Sequence, residues 1–389
     1  MATAWRLTPC SRAAADKLPV CAAARKYWSA LSLSTFGECD VKMQTLATGQ
    51  ELAAARHLVE LIGGNWATQA IGVAARLELA NHVAAGIKDV DSLARTCGCD
   101  ASALHRLLRG LASLGLLRLE SGRCSLTATG ELLRSDAPLG LNAHAQWWSG
   151  QAWNVWSDLM GSVRTGQSAR QRQHGQKGFD HLEVDAESAH LFHRSMAELT
   201  RLVAVDLAGS SALPDSGVVM DLGGGHGELL AEVLRARPGL QGVLFDLEHA
   251  VAGALEHLRE AGVAERATAT SGDFFAALPG PVDVVLLKSV LHDWSDEDAV
   301  RILQRARGAL APKGRVLVIE RVMPEQLEDR PEHRTTARSD LNMLVGLGGR
   351  ERTAGDYDSL LRSAGLSRRR TIPAAAAFSL IEAHVLDRE

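Results

Sequence analysis

Lysine is scarce in this chain: only seven of its 42 basic residues are Lys, and the rest are Arg. Such a skew follows the base composition of a genome more than any function. Basic charge is not in surplus either. Lys plus Arg total 42 against 46 Asp plus Glu, a formal net charge of −4, which argues against a protein held mainly by phosphate backbones. No apolar run approaches the roughly 20 residues that cross a bilayer. Six Cys in 389 residues do not make a disulfide scaffold. Cys10, Cys21 and Cys39 sit in the first forty residues, and Cys97 and Cys99 form a lone C-x-C. With no C-x-x-C pair and no His/Cys cluster at zinc spacing, the cysteines read as reduced thiols of a cytoplasmic protein, and no metal is expected. What is present is globular: 46% hydrophobic and 23% charged residues, enough for a full core. At about 100–200 residues per domain the length suggests two or three domains.

Residues 1–45 stand apart. Arg6, Arg12, Lys17, Arg25 and Lys26 face Asp16 as the one acid before Glu38. An organelle transit peptide, a frayed extension, and a start codon placed upstream of a true beginning at Met43 are all open readings. Over residues 46–139 Leu52, Leu58, Leu61 and Ile62, then Ala70, Ile71, Ala74 and Leu77, recur at three- and four-residue steps, a helical pattern. A compact unit follows: a short helix capped by Asp91 or Ser92, and a Cys-Gly-Cys-Asp turn. A second helix with Leu104, Leu107, Leu108 and Leu111 on one face comes next, then a hairpin around Ser121-Gly122. That order is the winged-helix arrangement. It admits DNA binding through His105, Arg106 and Arg109, or a dimerisation scaffold that keeps the shape without that task.

Residues 140–205 read as a helical connector. It holds Trp147, Trp148, Trp153 and Trp156, half of the eight Trp, a cluster suited to a core or to the wall of a pocket for a flat ligand. The polar, glycine-bracketed run 166–178 reads as a surface loop. From residue 206 to 389 apolar strands at 218–222, 242–247, 267–273, 282–288 and 315–320 alternate with helical stretches. This predicts a doubly wound α/β sheet. The C-terminal run closes it with an antiparallel hairpin.

Three strand ends carry the chemistry. "VVMDLGGGHGELL" places Gly223, Gly224, Gly225 and Gly227 between a strand and a helix, where such folds bind ligands. The spacing is G-x-G-x-G. Glu228 stands where a dinucleotide fingerprint has its third Gly or Ala, so the loop suits a nucleoside such as S-adenosylmethionine better than a pyrophosphate. Asp246, ending the next strand, is placed to accept two ribose hydroxyls. Asp273 is placed to accept from an adenine amino group, with Phe274 beside the ring. In "LLKSVLHDWSDEDA" Lys288 ends the fourth strand and His292 follows. An unperturbed imidazole pKa near 6.5 leaves that ring neutral and basic at working pH. Ser295 caps the next helix, whose first-turn acids read as structural.

With "DLGGGHG", "FDL", "GDFF", "LKSVLHDWSDE", "VIERVMP" and "GGRERT" in this order, residues 46–386 resemble the S-adenosylmethionine-dependent O-methyltransferases with an N-terminal winged-helix dimerisation domain. That group includes caffeic acid, acetylserotonin and antibiotic-tailoring enzymes. The resemblance implies a class I methyltransferase Rossmann-like sheet ending in the antiparallel hairpin, and a homodimer. It implies transfer from S-adenosylmethionine, leaving S-adenosylhomocysteine, to a hydroxyl of a small aromatic of secondary metabolism. It places Gly223, Gly225, Asp246, Asp273, Phe274, Lys288 and, from "LFHRSM", Met196 around the cofactor. His292 becomes the general base with Glu320 and Glu351 flanking it, and Trp147, Asp293, Asp340 and Met343 face the acceptor. Transfer to nitrogen or carbon, a family member repurposed to a reaction without methyl transfer, and a ligand-sensing DNA-binding regulator are the competing readings. The expectation is no nucleic-acid or membrane partner.

Overall fold

The computed structural model describes residues 48–175 and 185–386. The extension 1–45 lies outside them. Two compact units divide between Ile62 and Gly63. The described part of the first is the opening half of helix α1 (Gly49–Arg76), which exposes Leu52, Leu58, Val59, Leu61 and Ile62.

The second unit begins with the rest of α1, then α2 (Leu79–Ala84), α3 (Val90–Thr96) and α4 (Ala101–Ser113). The hairpin β1 (Leu117–Glu120) and β2 (Arg123–Leu126) follows. The expected order of helix, turn, helix and hairpin is present, but the cap of α3 is neither Asp91 nor Ser92. Asp89 takes that place and accepts from the Ser92 N–H at 2.9 Å, since a side chain three residues upstream reaches the free donors of the first turn. Asp100 caps α4 in the same way. Leu104, Leu108 and Leu111 are buried, as their spacing requires, while His105, Arg106 and Arg109 are exposed. The hairpin turns at Ser121 and Gly122, both at positive φ, the geometry a two-residue turn needs to match strand twist.

The connector comprises α5 (Asn142–Ser149), α6 (Gln151–Trp156), α7 (Leu159–Thr165), α8 (Ala169–His174) and α9 (Ala186–Gly209). Helix α8 corrects the reading of 166–178 as a loop. Ser168 caps it by accepting from the Gln171 N–H, and Ala169 is buried beside Val155 and Val345. Ser168, Ala169 and Arg170 are all buried, so a polar turn is held in helical form. Residues 176–178 of that run lie outside the described residues.

An eight-stranded sheet follows: β3 (Ser216–Leu222), β4 (Gly239–Asp246), β5 (Ala267–Ser271), β6 (Val282–Lys288), β7 (Leu310–Met323), β8 (Arg352–Thr353), β9 (Leu366–Pro373) and β10 (Phe378–Val385). Its order is β5-β4-β3-β6-β7-β10-β9, with β8 beside the end of β7. The first five strands are parallel, and β10 runs antiparallel to both neighbours. The closing hairpin is therefore as read from the sequence. Helices α10 (Glu228–Ala236), α11 (Glu248–Val251), α12 (Ala254–Glu260), α13 (Asp296–Gly308), α14 (Pro331–Gly346) and α15 (Ala354–Ser363) complete the unit. Alternation sorts the core into two layers. On β6, Val284 and Leu286 join one apolar cluster, while Val285 and Leu287 join the other, with Ile302, Leu303 and Leu361. One expected helix is missing: none follows β5. Gly272, Pro279, Gly280 and Pro281 punctuate that crossing, and Asp273 takes the Phe275 N–H into a side-chain turn instead.

Candidate active site

The carboxyl ends of β3, β4, β5, β6 and β7 lie along one edge, and the singled-out residues of those strands gather there. Gly223, Gly225 and Gly227 all have positive φ, at 74°, 57° and 84°. A Cβ on Gly223 would come within 2.9 Å of Val290 Cγ2, whereas Gly225 faces open space. The loop is thus closed on its inner side and free on its outer side, a cradle that a side chain would fill. The Gly225 N–H donates to Asp246 Oδ2 at 2.8 Å, and the Leu247 N–H to Oδ1 at 2.7 Å. Each oxygen keeps a further lone pair for a hydroxyl. Beneath the loop lies Asp221, which the sequence reading did not single out. It is 1% exposed, its Oδ2 has no hydrogen-bond partner among the described residues, and burial followed by the nearby Asp246 charge pushes its carboxyl up to about 7. An orphaned buried acceptor under an open glycine cradle suits a cationic or N–H-bearing ligand. Asp273 is exposed, and Phe274 packs edge-on against Trp294 at 5.6 Å. Lys288 Nζ lies 3.3 Å from Ser289 Oγ, with its ammonium lowered to about 8 by burial against the pull of Glu320.

His292 sits in the short turn Leu291–Asp293 after β6 and is buried. Its Nδ1 lies 3.3 Å from both Glu351 Oε1 and Glu320 Oε2, and its Nε2 lies 3.4 Å from Asp293 Oδ1. Glu320 is fully buried and accepts from the Val290 and Leu291 N–H groups at 2.9 and 3.0 Å, so the strand end fixes both the acid and the turn. Burial works against a charged ring here, but Glu320, Asp293 and Glu351 outweigh it and raise His292 to about 10. The three carboxylates thus favour the charged ring, against the expectation of a neutral imidazole. Burial in turn raises Glu320 to about 7 and Asp293 to about 6. The ligand atoms of His292, Glu320 and Glu351 lie within 4.8 Å of one another, near enough to share a cation as well as a proton.

The residues expected around the acceptor divide. Asp340 Oδ1 accepts from the Glu351 N–H at 2.9 Å, so it braces the partner of His292. Ser339 on the same helix donates to Glu351 Oε1 at 2.6 Å. Met343 is buried one turn further along. Trp147 is buried edge-on to Phe192, whereas Trp148 pairs with Trp156, whose Nε1–H donates to Asn342 on α14 at 3.0 Å. Met196 is half-buried on α9. That helix meets the glycine loop through His193, whose ring lies 4.8 Å from that of His226. Arg352 is a further residue that sequence reasoning missed. It is fully buried and donates to the Leu291 and Trp294 carbonyls at 2.6 and 2.7 Å, clamping the turn that carries His292. Its place in "GGRERT", next to Glu351, was the available signal.

The O-methyltransferase domain model matches residues 156–367, and the O-methyltransferase dimerisation domain model matches residues 59–136. The chain belongs to the O-methyltransferase family. It is 35% identical to a phenazine O-methyltransferase of Lysobacter antibioticus, over 84% of this chain and 95% of that one. It is 38% identical to the O-demethylpuromycin-O-methyltransferase of Streptomyces alboniger, over 86% and 90%. The crystal structure of CalO1, a methyltransferase of calicheamicin biosynthesis with S-adenosylhomocysteine bound, superposes with a TM-score of 0.76 at 34% identity, covering 86% of this chain and 99% of that one. The fold is accordingly that of a class I methyltransferase, and the cofactor is S-adenosylmethionine. Relatives at 35% and 34% identity also include an N,N-dimethyltransferase and an aclacinomycin hydroxylase. Among the described residues no helix is long and apolar enough to cross a membrane.

Proposed function

We propose that this methyltransferase acts on a hydroxyl of a small, flat aromatic acceptor and that His292 takes the hydroxyl proton. The observation that carries the proposal is the buried imidazole with Nδ1 between two glutamates and Nε2 on its far side. S-adenosylmethionine supplies a methyl already activated on a sulfonium. What remains for the chain is to hold both partners, exclude water and move one proton. A phenolic hydroxyl, with a pKa of about 10, is a poor nucleophile until that proton leaves. Glu351 takes the Nδ1–H, with Glu320 beside it, and so fixes the tautomer, which turns Nε2 towards Asp293 and the acceptor. Ring and phenol then bind their proton about equally well, so passing it between them costs little. The free enzyme at neutral pH holds one proton more than the reactive pair, so turnover rises with pH until the pair has lost it.

Asp246 is the acceptor for the ribose hydroxyls, Asp273 and Phe274 flank the adenine, and Gly223, Gly225, Lys288 and Met196 line the rest of the cofactor site. Met343, Asp293, Asp340 and the Trp147 side of the connector bound the acceptor. The enzyme works as a homodimer.

The test is transfer of isotope-labelled methyl from S-adenosylmethionine, by purified protein, into an extract of the source organism. Products are read by mass spectrometry, with His292→Ala alongside. The expected result is a labelled methoxy product and a loss of about 10²–10⁴ in turnover in the variant, with S-adenosylhomocysteine still bound. Label on nitrogen or carbon would overturn the hydroxyl assignment, and full activity in His292→Ala would sink the base.

A further inference from the structure

Arg170 on α8 is 9% exposed. Among the described residues its guanidinium meets no acceptor, and its Nε is buried without a partner. Asp158, the one acid between residues 142 and 175, is taken by Arg172. Burial alone acts on Arg170 and lowers it to about 10. An ionised group out of water is retained only when something pairs with it, because desolvation without a partner is costly. The helix lies against the acceptor side of the site. Ala169 packs with Val345 of α14, two residues beyond Met343. The same helix supplies Ser339 to Glu351 and Asn342 to Trp156.

At the His292 end the acids Glu320, Glu351 and Asp293 already have cationic partners in the ring itself, Lys288 and Arg321, whereas Arg170 has none among the described residues. Arg170 offers a planar fork of donors that matches a carboxylate. We propose that Arg170 anchors a carboxylate of the acceptor, so that the substrate is an aromatic hydroxy acid. Its hydroxyl points to His292 and its acid group to α8. This rests on the aromatic O-methylation proposed above and narrows it. Orientation follows, since the reversed pose leaves Arg170 unpaired.

The test compares hydroxynaphthoic acids with their methyl esters, by kcat/KM and by thermal shift with S-adenosylhomocysteine present, for wild type, Arg170→Met and Arg170→Lys. The acid is expected to exceed its ester by about ten-fold or more, the usual worth of a hydrogen bond to a charged group. That ratio should fall towards one in Arg170→Met through KM and be partly kept in Arg170→Lys. Without ligand, Arg170→Met should melt above wild type because the unpaired charge is gone. Acids binding no better than esters, a preference that survives Arg170→Met, or a variant that melts lower without ligand would each overturn the proposal. Acids that bind in an Arg170-dependent way without receiving methyl would leave the anchor standing and remove the O-methylation reading. Equal methylation of acid and ester would do the reverse.

Discussion

Glu351 shows how far a single side chain's meaning depends on its neighbours. Its Oε1 faces His292 Nδ1 and accepts from Ser339, and its backbone N–H is held by Asp340. It is one of three carboxylates that outweigh burial and raise the proton affinity of the ring. Removing its charge weakens that hold, so the imidazolium gives up its proton at lower pH. Glu351→Gln should move the acid limb of kcat/KM towards lower pH while the plateau falls, because the ring loses part of its tether. A pH profile of both enzymes measures this. A limb that stays put or moves to higher pH would mean Glu351 does not set the proton affinity of His292. The sequence made the pairing of His292 with Glu320 and Glu351 legible, since family order brings those motifs together. The charge state of the ring was not legible, because it depends on distances across three elements.

Elements fold here by local rules, and tertiary contacts then adjust them. The capping box of Thr353 and Asp356 starts α15, and Ser295 caps α13 as read from the sequence. Both are short-range signals. The turn Leu291–Asp293 has no such signal of its own. Arg352 holds it from across the site, with its Nη1 on the Leu291 carbonyl and its Nη2 on that of Trp294. Arg352→Met strips both carbonyls of a donor in a buried place, at about 1–3 kcal/mol for an unsatisfied group. The expected outcome is a lower denaturation midpoint together with lower turnover. Stability lost with turnover intact would mean the clamp does not position His292. Residues 169–174 read as loop yet are helical, for the converse reason. Their composition is mostly polar, and nothing in the string says that Ala169 meets Val155 and Val345.

Across the whole molecule, the opening half of α1 leaves Leu58, Val59, Leu61 and Ile62 in water, Ile62 at 68% exposure. Clustered apolar residues exposed on a helix mark an interaction surface, and the dimerisation model begins at residue 59. Ile62→Glu should shift a dimer towards monomer in sedimentation or light scattering, and an unchanged mass would place the dimer contact elsewhere. By itself the sequence determined the strands, the glycine turn, the hairpin that closes the sheet and the order of the motifs. Each of these is written in alternation, spacing or glycine placement within a few residues. Only the tertiary structure brought three carboxylates around His292, left Asp221 Oδ2 and Arg170 Nε buried without a partner among the described residues, and set Asp340 to brace Glu351. Desolvation and Coulomb interactions act through space, between residues as far apart in sequence as 292 and 351, and distance along the chain does not encode them.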